Sequence, residues 1–344
     1  MSPTTLMIIT SSLATGTIIT ASSYHWLLAW IGLEINTLAM IPMISMYHHP
    51  RATEAATKYF LTQAAASAMI LFSSMLNAWQ TGSWDIMQPT TTTSSIMLTS
   101  ALAMKLGLVP MHFWLPEVLQ GASMKTALII STWQKLAPMS LIYLTSNTLS
   151  TPTLLLMATL STMLGGWGGL NQTQLRKIMA YSSIAHIGWM AAISSIMKDI
   201  MALNLLLYLL MTTSAFSALI LSKSKTIKDT STSLTTSPTL TLIMMLSLLS
   251  LGGLPPLTGF LPKWLILKEL TMQNLVIISS ILAMSSLLSL FFYLRLSYTT
   301  TLTLAPNTLL TKHKWRFKPT SKTLLMVMST PLTLMLLPMT PLML

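Results

Sequence analysis

The chain has 344 residues, of which 52% are hydrophobic and only 8% are charged, and its formal net charge is +12. Because a soluble domain usually carries about 25% charged residues, this composition excludes a soluble protein and predicts an all-α polytopic membrane protein. Cysteine is absent, which excludes disulfides, thiolate iron–sulfur ligands and covalently attached haem on this chain.

Apolar stretches recur along the whole chain, separated by proline, glycine, charged and amide residues. Since a helical span needs roughly 20 apolar residues, the pattern predicts one membrane domain over residues 1–344 with about eleven transmembrane helices. The Ser/Thr-rich stretch at 229–238 is predicted to be a flexible loop. The predicted spans are 3–23, 26–46, 57–79, 96–121, 124–144, 152–170, 175–196, 200–222, 238–270, 274–296 and 323–343.

Basic residues mark one side of these spans. Fourteen Lys and Arg residues follow even-numbered spans, and only Lys198 and Lys268 follow odd-numbered ones. Because Lys and Arg near span ends stay on the side of insertion, the N-terminus is expected on the negative side, which is the cytoplasm or the mitochondrial matrix. The basic cluster at 312–318 favours lipid headgroups or an acidic partner over nucleic acid.

The N-terminus has no recognisable targeting sequence. Its first ten residues, MSPTTLMIIT, contain no basic residue, so we interpret them as the start of a mature span. The chain also lacks G-x-G-x-x-G, Walker A and H-E-x-x-H patterns. Any redox chemistry is therefore expected on other chains.

Two predicted spans are interrupted by proline, the fourth at Pro110 and Pro116 and the ninth within GGLPPLTGFLPKW at 252–264. A proline frees the carbonyl four residues earlier, and such a break persists in a membrane only beside protein or water. Since the broken spans are five apart, they predict two inverted five-helix repeats, 3–144 and 152–296, with 323–343 as an extra C-terminal helix. The freed carbonyls are those of Leu106, Leu251, Gly252 and Thr258.

Four charged residues lie inside predicted spans, where each costs roughly 2.5–3.5 kcal/mol: Glu34, Lys105, Lys135 and Lys263. One interpretation is structural, with lysines that reach the interface or an internal ion pair between Glu34 and one lysine. The other is a proton relay, because the charge of a buried lysine responds to its neighbours. His112 and His186 are possible further members, although a lone membrane histidine is often a hydrogen-bonding residue.

Five segments resemble the mitochondrially encoded NADH dehydrogenase subunit 2 family of vertebrate respiratory complex I. They are WIGLEINTLAMIP at 30–42, KYFLTQAAASAM at 58–69, KLGLVPMHFWLPEVLQG at 105–121, YSSIAHIGWM at 181–190 and GGLPPLTGFLPKW at 252–264. The resemblance runs over essentially the whole chain. It implies an antiporter-like subunit of the membrane arm that pumps protons from the matrix to the intermembrane space.

The resemblance also implies a set of relay residues, the absence of cofactors on this chain and a set of partners. Its proton relay falls on Glu34, Lys105, Lys135 and Lys263, with His112 and His186 near the relay axis. No cofactor or metal is expected on this chain, since NADH, FMN, iron–sulfur clusters and ubiquinone belong to other subunits. The implied partners are neighbouring antiporter-like subunits, supernumerary subunits and lipids such as cardiolipin.

The implied location is the mitochondrial inner membrane, with the N-terminus on the matrix side and the C-terminus on the intermembrane-space side. Most antiporter-like subunits have fourteen helices, so eleven predicted here correspond to the loss of three N-terminal helices. Two alternatives stay open: a free-standing secondary cation/proton antiporter, and a structural membrane-arm subunit that does not pump.

Overall fold

The computed structural model describes residues 2–88, 90–301 and 323–338. In these ranges the chain is helical, and its extended pairing is limited to two isolated β-bridges, His25 with Asp85 and Gln174 with Thr226. The helices form two compact units, one of residues 1–164 and 183–201 and one of residues 165–182 and 202–344.

The first unit holds the N-terminal helices. They are α1 (Pro3–Ser22), α2 (Trp26–Ile44), α3 (Pro50–Thr81), α4 (Thr92–Leu106), α5 (Trp114–Gly121), α6 (Met124–Ser131) and α7 (Trp133–Thr145). Helix α3 packs against α2, α4 and α5, while α7 packs against α1, α2, α4 and α6. The unit also contains part of α8 (Thr151–Gly169) and part of α9 (Leu175–Ser194).

The second unit contains the C-terminal helices. The helices are most of α10 (Lys198–Ser222), and α11 (Ile227–Thr236), α12 (Pro238–Gly252), α13 (Phe260–Met272), α14 (Val276–Thr301) and α15 (Leu324–Met335). Here α14 packs against α11, α12 and α13, and α12 also packs against α15.

Local sequence explains where the first helices begin and end. The Ser2 hydroxyl accepts from the N–H of Thr5 at 3.3 Å, directly before a proline in the first turn of α1. His49 caps α3 in the same way, with Nδ1 accepting from the N–H of Arg51 at 3.2 Å. Gly82 ends α3 in the left-handed conformation at φ +74°. Each of these residue types supplies the hydrogen bond or backbone angle that a helix end requires.

Long apolar helices identify a multi-pass membrane protein. Five helices in the described ranges are long and apolar enough to cross a membrane, namely α1, α2, α3, α10 and α14. Large apolar side chains such as Met7, Ile18 and Ile277 are exposed on them, as expected of a surface that meets lipid. Helices α8 and α9 are of similar length but are not among these five, and the remaining described helices are shorter. The count of eleven spans therefore stays a prediction.

Many Ser and Thr side chains lie on these apolar helices without leaving their hydroxyls unpaired. Each donates to a carbonyl three or four residues earlier in its own helix, as Thr10 does to Leu6, Ser161 to Ala158 and Ser247 to Met244. This local bond satisfies the hydroxyl inside the helix. A membrane helix can therefore carry hydroxyls without an interhelical partner.

The expected loop at 229–238 is wrong, because residues Ile227–Thr236 form α11. A reciprocal capping box starts this helix: the Thr226 hydroxyl accepts from the N–H of Asp229, and the Asp229 carboxylate accepts from the N–H of Thr226 at 2.8 Å. Burial alone would raise the pKa of Asp229, but its bonds from the N–H groups of Lys225 and Thr226 outweigh burial and hold that pKa below its usual range. The cap overrides the weak helix preference of the following Ser and Thr residues.

The predicted span at 124–144 is also not one continuous helix. It is interrupted at Thr132, which separates α6 from α7. Pro138 lacks the N–H that would bond the carbonyl of Gln134, and its ring crowds that carbonyl. The interruption places Lys135 in the first turn of α7.

The predicted repeats, 3–144 and 152–296, do not coincide with the two compact units. Each unit is built from two separate chain segments, because residues 165–182 belong to the second unit and residues 183–201 to the first. The repeat boundaries and their inverted relation therefore stay a prediction.

Candidate functional site

The first helix break lies between α4 and α5. Gly107, at φ +80°, ends α4, and its N–H donates to the carbonyls of Ala103 and Met104. Helix α5 resumes at Trp114. Because Pro110 has no N–H, the carbonyl of Leu106 has no donor from the position four residues later.

Side chains from other elements satisfy the carbonyls at the end of α4. Trp114 Nε1 donates to Met104 O at 3.2 Å, and Gln63 Nε2 approaches Lys105 O at 3.5 Å. Lys135 Nζ donates to Leu106 O at 2.5 Å. Three successive carbonyls at this helix end are thereby bound by side chains from three different helices.

Lys105 and Lys135 are both deeply buried at this break, with 4% and 3% of their surface exposed. The ammonium of Lys135 also lies 5.7 Å from the centre of the Trp114 ring. The ammonium of Lys105, in contrast, has no hydrogen-bond partner among the described residues. One lysine is therefore held by the break while its neighbour keeps three unused donors.

A small polar cavity joins the two lysines. It offers about 10 Å³ to the centre of a water molecule, and one buried water needs roughly 10–15 Å³ by this measure. Trp114, Ile130 and Pro138 form part of its apolar wall. Its polar lining comes from Asn36, Thr37, Tyr59, Gln63, Lys105, Gln134 and Lys135.

Glu34 lies on α2 beside this cavity but makes no direct ion pair. Its carboxylate accepts from the Thr37 hydroxyl at 3.1 Å, and it lies within electrostatic range of Lys105 and Tyr59. The ion pairs in the described ranges join Lys58 to Glu54 and Glu117. An internal pair between Glu34 and a lysine, one of the structural interpretations, is absent from this part of the chain.

The second unit contains a matching break between α12 and α13. Gly253, at φ +81°, ends α12, and its N–H donates to the carbonyls of Leu249 and Ser250. Pro256 follows Gly252 by four residues, as Pro110 follows Leu106. Lys263 Nζ donates to Gly252 O at 2.8 Å. In each break, a lysine thus binds the last carbonyl before a left-handed glycine.

The two histidines lie outside the cavity lining. His112 is buried within the first break, where its Nδ1 lies 3.3 Å from Pro110 O and its ring packs 4.3 Å from that of Phe113. His186 is buried on α9. Their possible part in the relay stays a prediction.

Sequence reasoning missed the amides that line the cavity, chiefly Asn36, Gln63 and Gln134. Each lies in an apolar segment, and Gln134 directly precedes Lys135. An amide inside an apolar span was an available signal, because such a group costs free energy unless it is hydrogen-bonded. Among the residues that the structure describes, no group of three His, Asp or Glu side chains could hold a metal ion.

Comparison with known proteins shows the family of the chain. A family model described as NADH:quinone oxidoreductase/Mrp antiporter, TM, matches residues 23–289, and one described as NADH dehydrogenase subunit 2 C-terminus matches residues 290–344. The NADH-ubiquinone oxidoreductase chain 2 of Latimeria chalumnae is 56% identical and covers 99% of this chain and 98% of its own length.

Solved structures share the fold. A chain of respiratory complex I from Thermus thermophilus superposes with a TM-score of 0.81 at 27% identity, covering 96% of this chain and 78% of its own. A chain of an archaeal membrane-bound sulfane sulfur reductase gives a TM-score of 0.84 at 17% identity, over 96% of this chain and 72% of its own, and supports the fold alone. With a family model over residues 23–289 and a 56% identical relative over nearly the full length, the chain belongs to the NADH-ubiquinone oxidoreductase chain 2 family.

Proposed function

We propose that this chain is a core membrane-arm subunit of respiratory complex I and translocates protons while other subunits transfer electrons from NADH to ubiquinone. Family membership supports the assembly, since relatives carry the name of that oxidoreductase. One observation carries the proton-translocating role. In each of two helix breaks, a lysine donates to the carbonyl that ends a half-helix, Lys135 to Leu106 and Lys263 to Gly252.

Such a lysine is suited to gain and lose a proton. Burial opposes the charged state of an amine, whereas the carbonyls at the C-terminal end of a helix favour a cation. With these two effects opposed, a nearby charge can decide the protonation state. Glu34 supplies such a charge within electrostatic range of Lys105.

The proposed proton path uses these groups in sequence. A change transmitted from a neighbouring subunit alters the interaction between Glu34 and Lys105. Lys105 then exchanges a proton with Lys135 through water in the shared cavity, and Lys263 passes a proton to the exit side. His112 and His186 are possible further members of the relay.

The finer architecture is part of the same proposal. The chain has eleven spans and two inverted repeats, 3–144 and 152–296, in the mitochondrial inner membrane. The N-terminus faces the matrix and the C-terminus the intermembrane space. The excess of basic residues after even-numbered spans supports the orientation, and the matching ends of α4 and α12 support the repeat.

Partners and cofactors follow from the proposed assembly. The chain contacts neighbouring antiporter-like subunits, supernumerary subunits and lipids such as cardiolipin. It binds no redox cofactor itself, because NADH, FMN, iron–sulfur clusters and ubiquinone are bound by other subunits.

Native electrophoresis tests the assembly. After extraction of native membranes in mild detergent, the chain is identified by mass spectrometry beside an in-gel stain for NADH oxidation. We expect it to migrate with the very large NADH-oxidising band. Migration as a monomer or dimer would reject the assembly and favour a free-standing antiporter, which should exchange cations for protons in liposomes without partners.

Replacing Lys105 by Met tests the relay. The thioether cannot carry a proton, so the assembled complex should pump fewer protons per electron, measured in proteoliposomes during NADH oxidation. Lys125→Met is the matched control, because Lys125 is exposed on α6. An unchanged ratio in the Lys105 variant would contradict the relay and leave a structural subunit.

A further inference from the structure

Asn36 is an amide buried in an apolar helix without a protein partner. It is 2% exposed, and neither its Oδ1 nor its Nδ2 has a hydrogen-bond partner among the described residues. A leucine has a similar branched shape and would fill the same space without burying an amide. The presence of an amide at this position therefore requires an explanation in the groups or the cavity next to it.

The position of this amide is fixed by a close approach of α1. A Cβ atom on Gly16 would lie only 2.5 Å from Asn36 Oδ1 and 2.9 Å from Asn36 Cγ. The missing side chain of Gly16 is thus what leaves room for the carboxamide between α1 and the cavity. From this position Asn36 lines the cavity that joins Lys105 and Lys135.

Other unused polar atoms face the same cavity. The Nζ of Lys105 and the Nε2 of Gln134 are buried without partners among the described residues, and both residues line the cavity with Lys135. A buried water typically makes two to four hydrogen bonds, and this volume suits about one. Two lysines and two amides can provide four such bonds, with acceptors and donors of both kinds.

We propose that Asn36 is a positioning residue of the relay, which orients the water through which Lys105 and Lys135 exchange a proton. This inference rests on the proposed function. The Lys105 ammonium gives a proton to the water oxygen while the same water gives one of its own protons to the neutral amine of Lys135. The water is regenerated, and one positive charge moves from Lys105 to Lys135. The Asn36 carboxamide forms a hydrogen bond with the same water and holds its orientation.

The test compares three variants in the assembled complex. Asn36→Leu removes the amide at similar volume, Asn36→Ser retains a donor and an acceptor, and Asn77→Leu is the matched control. Asn77 is likewise 2% exposed with both amide atoms unpartnered in the described ranges, but it lies on α3 away from the cavity lining. The readouts are the amount of assembled complex, the protons pumped per electron and the solvent deuterium isotope effect on NADH-driven pumping.

We expect normal assembly of all three variants, with fewer protons pumped per electron and a larger isotope effect in Asn36→Leu alone. Pumping in Asn36→Ser should return toward the wild-type value, which a purely structural role would not produce. Equal losses in the Leu variants of Asn36 and Asn77, or no loss at Asn36, would overturn the inference. If Asn36→Leu pumps normally while Lys105→Met does not, the inference fails and the proposed function stands; if both pump normally, the proposed function fails.

Discussion

At the scale of residues, each helix break places a lysine ammonium against a main-chain carbonyl oxygen. The Lys135 and Lys263 ammonium groups bind main-chain oxygens, and no carboxylate forms an ion pair with either in the described ranges. A hydrogen bond that involves a charged group contributes roughly 1.5–3 kcal/mol, which is of the same order as the cost of a buried charge in a membrane helix, roughly 2.5–3.5 kcal/mol. The charged and neutral states are therefore closer in free energy than in an apolar site.

Replacing Gly253 by Ala tests whether the carbonyl contact matters for pumping. A Cβ atom at this position would lie 2.9 Å from Lys263 Nζ and 3.0 Å from Lys263 Cδ, so the Lys263 side chain must shift from its position against Gly252 O. The variant should pump fewer protons per electron and lose stability, because a left-handed conformation costs a non-glycine residue roughly 1–2 kcal/mol. Both are measured on purified complex, by pumping in proteoliposomes and by thermal unfolding.

Gly82→Ala is the control for backbone strain alone. Gly82 has φ +74°, and a Cβ atom there would meet nothing within 4 Å. This variant should lose a similar amount of stability and keep its pumping ratio. Equal pumping losses in the two variants would show that the defect comes from strain and not from displacement of Lys263.

At the scale of elements, the same backbone conformation ends a half-helix in both breaks, with different side chains around it. Helices α4 and α12 are both 15 residues long and both end at a left-handed glycine. After each break a Leu-Pro pair is followed by a charged residue, Glu117 in α5 and Lys263 in α13. Glu117 is half exposed and paired with Lys58 at 2.6 Å, whereas Lys263 folds back on the break. The lysine of the first break is supplied instead by α7.

The capping box of α11 should control the order of that helix. Thr226→Ala removes an N-cap hydroxyl, which costs roughly 0.5–2 kcal/mol, so amide hydrogen exchange across Ile227–Thr236 should accelerate. Ser231→Ala, in the middle of the helix, is the control and should leave exchange nearly unchanged. Equal exchange in wild type and the Thr226 variant would mean that tertiary packing, and not the cap, holds α11.

Acid should weaken the same cap. The pKa of Asp229 is lower in the folded helix than its ordinary value, so its stabilisation is present above the ordinary pKa and is lost as pH falls through the folded one. Protection of α11 against hydrogen exchange, corrected for the intrinsic pH dependence of exchange, should therefore decline at acidic pH. In Asp229→Asn this decline should disappear.

At the scale of the whole molecule, the sequence predicts the membrane class, both helix breaks and the lysines beside them, because proline, glycine and charge act locally. It does not predict that Lys135, on another helix, binds the carbonyl freed by Pro110, since that contact depends on how α4 and α7 pack. The amides Asn36, Gln63 and Gln134 were visible in the sequence as polar residues in apolar segments, but their meeting at one cavity likewise depends on helix packing. In α11, the spacing of Thr226 and Asp229 indicates a capping box, but the Ser and Thr residues that follow indicate a loop. The prediction of a loop gave too much weight to those residues.

Orientation can be measured with single cysteines, because the chain contains none. Thr53 and Gln88 are both exposed, and they follow the second and third predicted spans. A cysteine at Thr53 should react with an impermeant maleimide only in inside-out membrane particles, and one at Gln88 only in mitoplasts. Labelling from the opposite sides would reverse the proposed topology, and labelling from one common side would contradict the number of spans between them.

The main-chain acceptors of the two breaks also have a genetic consequence. Every residue has a main-chain carbonyl oxygen, whatever its side chain. A change of side chain at Leu106 therefore cannot delete the acceptor of Lys135. Only changes that move the backbone can do so, at Gly107 or Pro110 in the first break. Tolerance to mutation around these lysines should therefore follow backbone conformation, and a substitution that alters no polar group can still abolish a proton site.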